Sequence, residues 1–137
     1  MLSVTVNIPG PNKLTKDAKF IFDVMMDKIS NLDLKILEIR KYSVASGYEA
    51  QIAVDEDAVK LKKIVVLIEE TNILGRFMDI DVMNCGKKQI CRKDIGMLPR
   101  KCFICDNDAK ICARSAKHSL EELLSFMHKK VRQYDED

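Results

Sequence analysis

Along residues 2–84 the apolar side chains change their spacing in a fixed order: two residues, then three to four, then two, two, three to four, and two again. A strand repeats every two residues and a helix about every 3.6, so that order writes β-α-β-β-α-β. Val4, Val6 and Ile8 alternate with Thr5 and Asn7 until Pro9-Gly10-Pro11, where proline has no N–H to give a ladder. Thr15 can cap a helix whose Ala18, Ile21, Phe22, Met25 and Ile29 form one stripe. Leu34 to Ala45, broken at Ser46-Gly47 and resumed over Tyr48 to Val54, predicts a hairpin. Asp55 is the expected N-cap of the next helix, with Glu56 and Asp57 in its first turn and Ala58, Leu61, Val65 and Ile68 on its stripe. The run Ile64 to Ile68 also suits a strand, but the caps and the polar exit Glu69-Glu70-Thr71-Asn72 favour helix. Phe77 to Met83 reads as a short strand, with Lys87 to Cys91 a candidate partner across Cys85-Gly86. Ser119-Leu120-Glu121-Glu122 is a capping box ahead of a last helix carrying Leu120, Leu123, Leu124, Met127 and Val131, and Asp135-Glu136-Asp137 is expected to fray.

The expectation is an α+β fold: a split βαββαβ antiparallel sheet with helices on one face over 2–84, then a basic, cysteine-containing extension over 85–137 that ends in a helix. A chain of 137 residues supplies one domain rather than two, and no repeat or low-complexity linker divides it. Twenty-three Lys plus Arg against twenty-one Asp plus Glu leave +2, too balanced for a polybasic binder, and 47% apolar side chains are too many for a disordered chain. No run approaches membrane-spanning length. Met1 to Val6 shows neither a basic leader nor an export-type apolar stretch, so the expected location is the cytoplasm. Five cysteines, an odd number, fit poorly with a disulfide framework and better with reduced thiols or a metal site.

Positions two apart on a strand point the same way, so Asp79 and Asp81 are expected to share one side of Phe77 to Met83 while Ile80 and Val82 enter the core. Two neighbouring carboxylates repel, and a divalent cation such as Mg²⁺ would relieve that repulsion; the alternative is a strand with a solvated polar face. Gly75-Arg76 precedes the strand, and residues 87–117 hold nine Lys or Arg against three Asp, among them Arg92, Arg100 and Arg114. In so neutral a chain that concentration suits a polyphosphate, because arginine grips phosphate through paired donors; an ordinary solvated surface is the alternative. Cys102-Phe103-Ile104-Cys105, with Cys112 and His118, has the spacing of a Cys₃His site for Zn²⁺; reduced thiols packing a small turn are the alternative, and His118 could instead serve as an acid or base near phosphate. Neither a Gly-x-x-x-x-Gly-Lys nor a Gly-x-Gly-x-x-Gly loop is present, which removes the commonest nucleotide folds.

The string Leu74-Gly75-Arg76-Phe77-Met78-Asp79-Ile80-Asp81-Val82, then Arg92, Pro99-Arg100-Lys101-Cys102-Phe103-Ile104-Cys105, Ala109-Lys110-Ile111-Cys112-Ala113-Arg114 and His118, resembles the citrate lyase holo-acyl carrier protein synthases, the apo-citrate lyase phosphoribosyl-dephospho-CoA transferases. Val4 to Lys13 with its Pro9-Gly10-Pro11 is similar too, while Met78 and Cys91 stand where tryptophan and serine are usual. The resemblance implies transfer of triphosphoribosyl-dephospho-CoA to a serine of the citrate lyase acyl carrier protein subunit with release of pyrophosphate, chemistry of nucleotidyltransferase type. It implies Asp79 and Asp81 as catalytic Mg²⁺ ligands, with Gly75, Arg76, Arg92, Arg100 and Arg114 against the substrate. It gives no general base: Asp81, His118 or the metal could each activate the serine. Neither nucleic acid nor membrane is an expected partner. The readings set against it are a zinc-knuckle RNA-binding module and a non-catalytic assembly factor that only docks on the carrier.

Overall fold

Over residues 2–84 the expected element order is the one observed. A computed structural model describes residues 1–102, 104–115 and 117–136, with the backbone alone for 113–115. It runs β1 (Leu2–Val6), α1 (Lys16–Ser30), β2 (Ile36–Val44), β3 (Gly47–Val54), α2 (Ala58–Thr71), β4 (Met78–Met83), β5 (Gln89–Ile90), α3 (Ala109–Ser115) and α4 (Leu120–Glu136), with 3₁₀ turns at Gly75–Phe77 and Arg92–Ile95. The strands order β2-β3-β1-β4-β5, and each neighbouring pair is antiparallel.

β1 is central, and its register sets the two faces. Leu2 lies opposite Ile52 and Val82, and Val4 opposite Ala50 and Ile80. All six are buried, in one cluster with Ile21, Met25 and Ile29 of α1, Leu61 and Val65 of α2, and Met127 and Val131 of α4. Each such Leu, Ile or Val withdrawn from water contributes about 1.5–3 kcal/mol, so the sheet is held mainly by this face. The period of two sends Ser3, Thr5, Glu49, Gln51, Asp79 and Asp81 to the other face, where all are half-buried.

Local chemistry accounts for the helix ends. Thr15 Oγ1 accepts the Ala18 N–H at 3.1 Å, and the α4 capping box closes both ways, Glu122 N–H to Ser119 Oγ at 3.1 Å and Ser119 N–H to Glu122 Oε1 at 3.4 Å. α2 is capped by Asp57, not Asp55: the Asp57 carboxylate accepts the Lys60 N–H at 3.0 Å, while the Asp55 N–H is spent on the Lys35 carbonyl as the chain leaves the hairpin. Asp135 and Glu136 continue α4 instead of fraying, because Tyr134 anchors the last turn edge-on to Phe20 at 6.0 Å, while Asp137 lies outside the described residues. Of Lys87 to Cys91 only Gln89–Ile90 forms a strand, opposite Val82 and Met83. Among the described residues no helix is long and apolar enough to cross a membrane.

Candidate active site

Asp79 and Asp81 stand on the polar face of β4, as their spacing requires. Thr5 Oγ1 donates to Asp79 Oδ2 at 3.4 Å, and Gln89 Nε2 donates to Asp81 Oδ1 at 3.1 Å. Burial raises the Asp81 carboxyl above its ordinary value, and the Asp79 charge beside it adds to the rise; Lys62 and Arg100 oppose them. Lys62, on α2, is itself buried.

Because β5 reaches no further along β4 than Val82, the Ile80 N–H has no strand partner on that edge. Glu69 Oε2 accepts it at 3.3 Å. Glu69 is only 3% exposed, and its charge is met from two sides, by Arg92 Nη2 at 2.9 Å and Arg100 Nη1 at 3.5 Å. Arg92, 11% exposed, pairs with Glu70 as well, so both of its terminal nitrogens are engaged by carboxylates. Arg100 also reaches Asp79 Oδ1 at 3.7 Å, and its Nη2 donates to the carbonyls of Gly75 and Arg76 at 3.1 and 3.0 Å. Gly75 has a packing reason for its identity: a Cβ there would sit 1.7 Å from the Glu69 carbonyl oxygen. Arg76 Nη1 donates to the carbonyls of Cys102 and Cys105 at 2.8 and 3.0 Å, and its Nη2 pairs with Asp106 at 3.0 Å.

These contacts wall a cleft of about 500 Å³ lined by Arg76, Arg92, Arg100, Lys101 and Lys130, with Glu69, Glu70 and Asp106 as the opposing charges. Asp79 and Asp81 lie beside the cleft, not on its wall, and Arg100 is the side chain common to both. The fold therefore brings Gly75, Arg76, Arg92 and Arg100 to one place. The Arg114 side chain lies outside the described residues, as does Phe103. Glu69, Lys62 and Lys130 were not anticipated as site residues. Glu69 and Lys62 had a signal: Glu69 falls four residues beyond Val65 on the apolar stripe of α2, and Lys62 four before Val66, positions where a charge must be answered. Lys130, 5.4 Å above the Phe126 ring, had none, since only the packing of α4 brings it to the cleft.

Cys102, Cys105, Cys112 and His118 converge, with one ligand atom of each within 4.8 Å of the others. The neighbouring His118 imidazole lowers the Cys105 thiol to about 6, whereas burial pushes Cys112 up to about 11. Such a group of thiols and imidazole can hold a soft or borderline cation, while the Asp79–Asp81 pair suits a hard one.

A family model described as apo-citrate lyase phosphoribosyl-dephospho-CoA transferase matches residues 1–134. A probable apo-citrate lyase phosphoribosyl-dephospho-CoA transferase of Streptococcus pyogenes is 34% identical over 139 residues, covering 98% of this chain and 72% of the relative. One of the same description from Vibrio cholerae is also 34% identical, with 98% and 78% covered. Protein CitXG of Leuconostoc mesenteroides subsp. cremoris is 32% identical over 97% of this chain, which spans 29% of that longer protein.

Proposed function

Since the chain belongs to the apo-citrate lyase phosphoribosyl-dephospho-CoA transferase family, we propose that the arginine-lined cleft next to Asp79 and Asp81 is where it transfers a phosphoribosyl-dephospho-CoA group to apo-citrate lyase. The donor in this reading is triphosphoribosyl-dephospho-CoA and the acceptor a serine of the acyl carrier protein subunit. The serine Oγ forms a bond to the α-phosphorus, the bond from that phosphorus to the departing pyrophosphate breaks, and the serine proton is lost, leaving a phosphodiester. This is in-line displacement of the nucleotidyltransferase kind.

One observation carries the reading: Arg100 links the carboxylate pair to a cleft whose other cations are Arg76, Arg92, Lys101 and Lys130. A cleft of about 500 Å³ takes the triphosphoribosyl end of the donor, with the remainder along the surface. Lys101, Lys130 and the outer N–H groups of Arg76 and Arg100 bind phosphate oxygens, and Arg76 can give up Asp106, which is 83% exposed, at little cost. Arg92 acts behind them, because Glu69 and Glu70 keep it engaged and Glu69 sets the position of Arg100.

Asp79 and Asp81 fit a divalent cation of the Mg²⁺ type, since burial and the neighbouring Asp79 charge already disfavour a bare carboxylate at Asp81. When bound, such an ion supplies positive charge against the polyphosphate and its leaving group. Thr5 and Gln89 hold the two carboxylates in orientation. The reaction belongs in this reading to the cytoplasm, where the five free cysteines stay reduced. Neither a knuckle-type RNA-binding module nor a docking factor without chemistry is favoured by the family.

The test is the mass of the carrier. Purified protein with Mg²⁺, the triphosphoribosyl donor and apo carrier subunit is expected to add the prosthetic group to the carrier and release pyrophosphate, and Asp79→Asn is expected to abolish both. An unchanged carrier mass at saturating donor would overturn the reading.

A further inference from the structure

Three sulfurs and one imidazole nitrogen of the cysteine and histidine group lie close enough together to share one ion. Cys105 Sγ stands 3.5 Å from Cys112 Sγ, much further than the roughly 2.05 Å of a disulfide and close to the ~3.8 Å edge that two thiolates at about 2.3 Å span on a tetrahedral ion. Cys102 and Cys112 are buried. His118 Nε2 is buried without a hydrogen-bond partner among the described residues, and its Nδ1 faces Glu122 Oε2 at 3.8 Å. A buried ring nitrogen with nothing to bond is costly, and a carboxylate behind the opposite nitrogen is the usual setting of a metal-bound histidine.

We propose that Cys102, Cys105, Cys112 and the Nε2 of His118 bind one Zn²⁺ as a closed Cys₃His structural site, and that this site sets the position of Arg76 in the cleft. Four ligands leave no open coordination position, so the ion organises and does not react. The coupling runs through the backbone: the two residues of the Cys102-x-x-Cys105 knuckle that give their sulfurs also give their carbonyls to Arg76 Nη1, at 2.8 and 3.0 Å. Fixing the sulfurs fixes those carbonyls, and a planar guanidinium held by two of them cannot swing away from the cleft. Among the described residues the regular structure of the loop is one bridge, Lys101 opposite Asp108, ahead of the short α3. The metal site is independent of the proposed reaction, and only the effect on Arg76 rests on that reading.

Metal content is the direct test. Protein purified without chelator is expected to carry about one zinc per chain by plasma mass spectrometry, and Co²⁺ in its place is expected to give thiolate-to-metal charge-transfer absorption. His118→Ala should weaken zinc binding by at least about tenfold, while His118→Cys, which restores a fourth ligand, should retain it. Zinc far below one per chain after refolding with equimolar Zn²⁺, or equal affinity in His118→Ala, would overturn the site, as would a Cys105–Cys112 disulfide in the peptide map of protein freshly purified without reductant. Stripping zinc is expected to weaken binding of the triphosphoribosyl donor, measured by calorimetry, about tenfold in the parent and not further in Arg76→Ala. Equal losses in both backgrounds would overturn the link to Arg76 and leave the metal content as measured, while a carrier that is never modified despite full zinc would count against the reaction alone.

Discussion

At Glu69 one carboxylate answers an orphaned strand N–H and two guanidinium groups at once. Removing its charge leaves Arg92 with Glu70 alone in a nearly closed space and takes a carboxylate from Arg100, so Glu69→Gln is expected to cost about 3 kcal/mol in urea unfolding. Glu70→Gln, at a carboxylate 51% exposed, should cost less than about 1 kcal/mol in the same measurement. Asp81 gives a prediction with a sign. Its carboxyl is raised from 3.8 in the folded chain, so ionisation disfavours folding. That penalty is absent below the unfolded value, develops as pH rises through the folded one, and persists above it. In EDTA, Asp81→Asn should therefore melt higher than the parent at pH 7, with the difference vanishing as the pH falls below the ordinary carboxylate range. Thermal melts across pH check it, and a difference that grows toward acid would contradict the cause. That Asp79 and Asp81 share a side was legible, because a spacing of two fixes it. The ion pairs of Arg92 were not, since its partners sit 22 and 23 positions earlier in the chain and only the fold brings them near.

Among the elements, α1 was the most legible because its stripe and its cap agree. Thr15→Ala removes one bonded N–H partner and should lower stability by about 1 kcal/mol in a thermal melt, while carrier modification by the folded protein stays unchanged. The start of α2 was misread by two residues. Asp55 and Asp57 are equally good caps by identity, and what decides is that the Asp57 carboxylate accepts the Lys60 N–H of the first turn. β5 was expected over Lys87 to Cys91 and forms over Gln89–Ile90 alone, while α3 was not expected, since a helix of seven residues is too short to display a period. Yet the shortness of β5 matters to the site, because a longer strand would pair with Ile80 and leave Glu69 nothing to bond on that edge.

For the molecule as a whole, the α+β order was legible in alternating periodicities, while the cleft was not, being assembled from α2, the turn before β4, the 3₁₀ turn at Arg92–Ile95, the cysteine loop and α4. Gly75 is where these parts close on one another. Gly75→Ala is expected to lose about 3 kcal/mol, because a methyl group 1.7 Å from the Glu69 carbonyl must push α2 away from the turn that carries Arg76. Donor binding should weaken with it, and a variant as stable as the parent in urea would show the approach to be looser than described. The position of β1 has a consequence of a different kind. Its ladder to β3 begins at Leu2 opposite Ile52, and its ladder to β4 at Leu2 opposite Val82. During synthesis β3 can therefore cover one edge of β1 early, while the other edge stays open to other chains until β4, some eighty residues further along, has left the ribosome. Slowing translation just after β4 should favour a correctly threaded product, whereas a pause just before it would prolong the aggregation-prone interval.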